Sequence, residues 1–120
     1  MTKPINLNSK FNIFTDHWSP KVIAEMNDYQ FKLVKIKGEF IKHQHSDTDE
    51  VFIVIEGKMN IEFESYTIQV KSGEMIVVPK GVMHKPFAKK ECKVMLVEPR
   101  GVLNTGDTKG DMTAPNNQWI

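Results

Sequence analysis

Cysteine is nearly missing from this 120-residue chain: Cys92 stands alone, which excludes an internal disulfide framework and any multi-cysteine zinc site. It precedes the apolar run Val94-Met95-Leu96-Val97 and reads as a small hydrophobe of a strand, not a nucleophile. Arginine is as scarce, with Arg100 the single one; in its turn-rich setting it is a candidate fork for a carboxylate or phosphate. No sign of charge prevails, because 16 Lys and Arg face 15 Asp and Glu for a net charge of +1. That balance gives no electrostatic case for nucleic acid or an anionic membrane surface. The lysines between Lys32 and Lys42, like the pair Lys89-Lys90, read as solvated faces. Long apolar runs are missing too: the longest, Val51 to Ile55, falls far short of the roughly 20 residues that span a bilayer. Met1 to Lys10 is mixed and polar, unlike a secretory leader. The chain shows no Ser-His-Asp arrangement, phosphate loop, dinucleotide fingerprint or solenoid-period repeat. These absences leave a cytoplasmic protein, with no nucleic-acid and no membrane partner, as the expectation.

What is present is an ordinary globular balance, 40% apolar and 26% charged, in a length that favours one domain with a self-sufficient core. Tyr29 to Lys37 alternates, with Phe31, Leu33, Val34 and Ile36 favouring a strand. Glu50 to Ile55 is almost continuously apolar and reads as a strand covered on both faces. Met59, Ile61 and Phe63 alternate after the Glu56-Gly57-Lys58 turn; Tyr66, Ile68 and Val70 follow, then Met75 to Val78. Pro79-Lys80-Gly81 places Pro second and Gly fourth in a type I turn. Beyond it, Val82 to Phe87 and Cys92 to Glu98 are two more candidate strands. Turn signals every eight to twelve residues or so mark a sandwich or barrel. One short helix is expected over Pro20 to Met26, with Ser19 as cap and Pro20 at its first position.

The ends differ from the middle. An N-terminal arm, residues 1–28, carries Phe11, Ile13, Phe14, Trp18, Val22 and Ile23 and has the apolar mass to pack onto the barrel, residues 29–98. The tail, residues 99–120, is rich in Gly, Asn, Asp, Thr and Pro and reads as irregular chain, with Trp119 and Ile120 to pin it.

Three of the four histidines fall into one pattern: His43 and His45 two apart, then Glu50, then His84 beyond the Pro-Lys-Gly turn. Residues i and i+2 of a strand point to the same face, so His43 and His45 can grip an ion from one side. Glu50 and His84 would complete the cage from neighbouring strands, and a carboxylate entering a buried strand needs a cation or hydrogen-bond partners.

The stretch from Gly38 to His84 resembles the two motifs of the cupin superfamily. The first is matched by His43, His45, Glu50 and Gly57, the second by Gly73, Pro79, Gly81 and His84. Two departures stand out: four residues separate Gly38 from His43 where the family has five, and Ala88 replaces the usual Asn of the second motif. His17-Trp18-Ser19-Pro20 and Glu98 to Asp107 are similar to a group of small single-domain cupins often labelled mannose-6-phosphate-isomerase-like, a label of barrel similarity and not of activity. The resemblance implies an all-β cupin double-stranded β-helix (a jelly-roll barrel). It also implies one divalent transition metal per chain (Mn, Fe, Ni, Zn or Co) on His43, His45, Glu50 and His84, and a homodimer.

Four protein ligands leave room on the ion for water or substrate. The expected function is a metal-dependent enzyme on a small oxygen-rich metabolite, of isomerase, epimerase or dioxygenase type; the alternative is a metal-containing binding or sensing module without turnover. Tyr29, Phe31, Phe40, Phe52, Met59, Met75, Met83 and Phe87 are candidates to line the pocket. His17 is a candidate acid or base at the barrel mouth, or a capping residue. No catalytic residue is assigned. An acid-base group brought over the site by His17 or by the tail would favour catalysis, and an open apolar mouth would favour binding.

Overall fold

The computed structural model describes residues 2–120. Helix α1 (Leu7–Phe11) is followed by seven strands: β1 (Lys21–Met26), β2 (Tyr29–Glu39), β3 (Glu50–Glu56), β4 (Lys58–Glu62), β5 (Thr67–Lys71), β6 (Met75–Val78) and β7 (Lys85–Pro99). All paired strands run antiparallel. They are ordered β1-β2-β7-β3-β6, with β4 joining β5 on one side and the start of β7 on the other.

The expected helix over Pro20 to Met26 is instead β1. Its residues Lys21, Val22 and Ile23 are buried in succession, and pairing with β2 from Lys21↔Leu33 to Met26↔Tyr29 outweighs the capping signal of Ser19-Pro20. The helix lies earlier, where Asn6 accepts a hydrogen bond from the Ser9 amide at 2.9 Å and Phe11 turns inward. The two strands expected over Val82 to Phe87 and Cys92 to Glu98 are one, β7. Its register with β2 shifts between Ile36 and Gly38, so that Lys89-Lys90-Glu91 bulge outward. Val82 N donates to Pro79 O and Gly81 has φ +77°. The turn therefore starts one residue later than expected, with glycine at the position that requires positive φ.

Alternation sorts the side chains. Val34 and Ile36 of β2, Phe52 and Val54 of β3, Met59 and Ile61 of β4, and Val94 and Leu96 of β7 fill the barrel interior. Each such burial contributes about 1.5–3 kcal/mol. On β3 only this inner row is fully buried; Val51, Ile53 and Ile55 are half-buried. A second cluster, Phe11, Phe14, Ile23 and Leu33, lies under α1 on the outer face of β2. Lys32 and Lys35, expected among solvated lysines, are buried. Lys35 donates to Phe14 O at 2.7 Å, and Lys32 points into the barrel with the even-numbered residues of β2.

The tail is irregular yet anchored. Val22 N donates to Gln118 O at 2.7 Å and Ile120 N to Val22 O at 3.1 Å, a bridge beside β1. Ile120 packs on the Phe11 cluster, while the Trp119 ring is exposed.

Candidate metal centre

His43 and His84 are backbone partners: each amide donates to the other's carbonyl at 2.9 Å. Such a pair puts both side chains on one face, and their rings lie 4.4 Å apart. Gly81 N donates to His45 O at 2.8 Å, and Asp49 Oδ1 accepts from Lys80 N at 2.9 Å. These bonds fasten the His43–Asp49 loop to the turn before His84. Glu50 enters at the head of β3, paired with Val78. His43, His45, Glu50 and His84 are all buried, and each offers a ligand atom within 4.8 Å of the others.

Hydrogen bonding fixes the imidazoles. His43 Nδ1 lies 2.9 Å from Ile41 O, and His84 Nδ1 lies 2.9 Å from Val82 O. A carbonyl only accepts, so each Nδ1 carries a proton and donates it, which leaves Nε2 of the neutral ring as a lone pair. Burial holds the His43 pKa down to about 4, so that ring is neutral at pH 7. His84 Nε2 then faces Glu50 Oε1 at 3.4 Å, and His45 Nε2 faces the same oxygen at 3.2 Å. All three atoms are buried without a hydrogen-bond partner. His84 Nε2 and Glu50 Oε1 are thus acceptor facing acceptor, which in a dry site is repulsive unless a cation lies between them. Donors about 2.1 Å from one ion stand roughly 3.0–3.4 Å apart at adjacent positions, which matches these separations. The donor set fits a divalent transition metal.

Behind Glu50 lies a group that sequence reasoning missed. Glu98 and Lys32 are both buried, and Lys32 Nζ donates to Glu98 Oε1 at 2.8 Å and to Val102 O at 3.2 Å. Burial, then the negative Glu50, pushes the Glu98 carboxyl well above its ordinary range. Glu98 Oε2 receives no donor; a proton on it would bridge to Glu50. The available signal was alternation: Lys32 shares the inward phase of Val34 and Ile36, and Glu98 that of Val94 and Leu96.

Other candidates fall elsewhere. His17 is half exposed and bonds Glu91 at 2.8 Å, away from the cluster. Arg100 forks Glu25, with Nε to Oε2 at 2.8 Å and Nη2 to Oε1 at 3.1 Å. Cys92 is buried, and burial pushes its thiol up to about 11, which makes it inert at neutral pH. Phe40, Phe52 and Met59 line the interior beside His43. Tyr29, Met75 and Met83 do not: they are exposed on the outside. Phe31 packs on the outer cluster, and Phe87 lines a separate cleft of about 560 Å3 with Asn60, Gln69 and Lys89.

The tail covers the site from above. Gly106 sits so close that a Cβ there would stand 2.1 Å from Gln44 O and 3.2 Å from the His43 ring, and Asp107 N donates to Gln44 O at 3.0 Å. Trp18 is held at φ +61°, a conformation that costs a bulky residue about 1–3 kcal/mol. Its ring stacks on Phe40 at 4.5 Å, and Phe40 meets the His43 ring edge-on. A cleft of about 410 Å3 opens on the other side, lined by His45, Asp47, Arg100 and Asp107 among others.

A barrel of antiparallel strands with three histidines and one glutamate converging inside has a counterpart among known families, and residues 32–98 match the Cupin domain family. The chain belongs to the cupins. A solved cupin-2 domain containing protein from Shewanella frigidimarina is 64% identical, with a TM-score of 0.80 over 80% of this chain and 94% of that one. A solved Neisseria meningitidis protein is 33% identical, with a TM-score of 0.75 over 81% of this cupin and 99% of its own chain. The uncharacterized protein YdbB of Bacillus subtilis is 35% identical over 86 residues, 71% of this chain and 76% of its own.

Proposed function

We propose that this cupin is a metal-dependent enzyme acting on a small metabolite through metal-bound oxygens, by isomerisation, epimerisation or dioxygenation. One divalent ion (Mn, Fe, Ni, Zn or Co) would be held by His43, His45, Glu50 and His84. The observation that carries this reading is the set of bare imidazole nitrogens turned on one buried carboxylate oxygen. Bound there, the ion would polarise a substrate oxygen or lower the pKa of a bound water. The chain's own contribution is orientation and exclusion of water. The Ile41 and Val82 carbonyls aim two imidazoles, the tail roofs the site through Gly106, and Asp47 and Asp107 offer carboxylates that can move a proton in the His45 cleft. Likeness to small cupins labelled mannose-6-phosphate-isomerase-like supports a small-molecule role and names no reaction.

A second reading, a metal-containing binding module without turnover, is favoured by one observation: His17, the fourth histidine, is spent on Glu91 and not on the site. Elemental mass spectrometry of untagged protein purified without chelator tests the shared premise. One ion per chain is expected, and His45→Ala is expected to lose most of it while circular dichroism stays that of the barrel. Unchanged occupancy in that variant would remove His45 from the ligand set. Iron would direct assays to oxygen consumption, and Mn, Zn, Ni or Co to isomerase and epimerase panels.

A further inference from the structure

The two sides of the metal cluster differ in chemistry. Beside His45 the cleft is wide, open and polar, with Asp47, Thr48, Arg100 and Asp107 among its lining residues. Beside His43 lies a cavity of about 30 Å3 whose walls include Trp18, Phe40, Phe52, Met59 and Asn104. The two polar side chains on those walls, apart from His43, are already satisfied. Trp18 Nε1 donates to Lys37 O at 3.0 Å. Asn104 Nδ2 donates to Trp18 O and Met112 O, and Asn104 Oδ1 accepts from Ala114 N. With His43 Nε2 committed to the ion, nothing in the cavity is left to bond a hydroxyl, and an apolar space of this kind stays dry.

We infer that this cavity is an apolar subsite, and that the molecule bound at the metal cluster carries a short hydrocarbon group next to its oxygen-bearing head. The inference rests on the metal-centre reading for the head and on the cavity alone for the hydrocarbon. The cavity is small, about 30 Å3, which suits a short alkyl group and not a long one. Trp18 sets that limit. Its strained backbone is locked by Trp18 N donating to Lys35 O at 2.9 Å and by Asn104 at its carbonyl, which holds the indole against Phe40 across the cavity's end.

Two measurements test this, one without the metal. Xenon under pressure should shift the methyl signals of Met59 and Val34, another wall residue, in an NMR spectrum; unmoved signals would overturn the subsite. Calorimetry on zinc-loaded protein then compares 2-oxo acids that share one metal-binding head. Affinity should rise about fourfold from pyruvate to 2-oxobutanoate, the worth of one buried methylene, and fall at 2-oxohexanoate. 3-Hydroxypyruvate, which replaces the terminal methyl of 2-oxobutanoate with a hydroxyl, should bind about tenfold more weakly because its hydroxyl finds no partner. Trp18→Ala should admit 2-oxohexanoate, and Val34→Ile should weaken 2-oxobutanoate while sparing pyruvate. Zinc uptake with a flat series, or with 3-hydroxypyruvate the tighter ligand, overturns the inference alone. Zinc refused while xenon enters overturns the metal reading and supports the apolar compartment.

Discussion

Within the cluster, burial acts most directly on His43. Its pKa falls from 6.5 to about 4 because burial disfavours the charged ring. The stabilising contribution of such a group is complete above 6.5 and is lost as pH falls toward 4, because the unfolded chain takes up the proton first. At roughly 1.4 kcal/mol per pH unit, the loss is on the order of 3 kcal/mol. Glu98 acts with the opposite sign, since its raised carboxyl loses stability as pH climbs above its ordinary range, so the total curve hides His43. The difference between metal-free wild type and His43→Asn isolates it: urea titrations should show that difference shrinking by about 3 kcal/mol between pH 7 and pH 4. A constant difference would contradict a neutral, buried His43. Lys32 and Glu98 form a second residue-scale test. Lys32→Met strands a buried acid and should cost about 3–5 kcal/mol, most of it recovered in the Lys32→Met/Glu98→Leu double variant. Additive losses in that cycle would mean the two do not act as a pair. The four cluster residues were legible because the combined spacing of His43, His45, Glu50 and His84 matches the two cupin motifs, although His43 and His45 lie in the loop before β3 and not on a strand. Lys32 and Glu98 were not, because a charge is read as solvated until its inward phase on a strand is known.

At the scale of elements, the tail and the Trp18 segment matter more than their irregular appearance conveys. Gly106 has φ +60° and no room for a Cβ above the Gln44 carbonyl. Gly106→Ala should therefore lift the tail from the site, costing at least about 1–3 kcal/mol from the backbone conformation alone and more from the clash. Hydrogen exchange should then quicken over Leu103 to Asp107 while β2 and β7 stay protected; uniform protection across the tail would show that the segment does not depend on this contact. The strands of the barrel were legible from alternation, and the motif turns from glycine and proline. What was missed at this scale has a common cause. Ser19-Pro20 is a local helix signal, yet β1 forms because Val22 and Ile23 gain a sheet partner and a buried cluster. β7 is continuous because one strand can pass a bulge of charged residues and resume. Local signals are silent about both.

For the whole molecule, the outward face of the sheet carries an apolar band. Tyr29, Met75 and Val77 are exposed, and Val51, Ile53, Met95 and Val97 are half-buried between them. The registers Phe31↔Val97, Val51↔Val97 and Val51↔Val77 line them up across four strands, a continuity that monomeric surfaces rarely present. We propose that a second copy covers it. Light scattering at micromolar concentration should give twice 13.8 kDa, and Val77→Lys should return the protein to that single mass; a wild-type monomer would sink the proposal. The order of strands has a further result. β7, the last strand, is the neighbour of β2, β3 and β4 at once, and Tyr29 meets Pro99 at one end of its register. During synthesis, β2 and β3 therefore leave the ribosome with open edges and wait for most of the chain to follow. Closure entropy is spent before the contacts of β7 with β2, β3 and β4 are gained, which makes folding slow. The nascent chain is at its most vulnerable to aggregation just before β7 emerges, so the rate at which residues 85–99 are translated should set the yield of native protein.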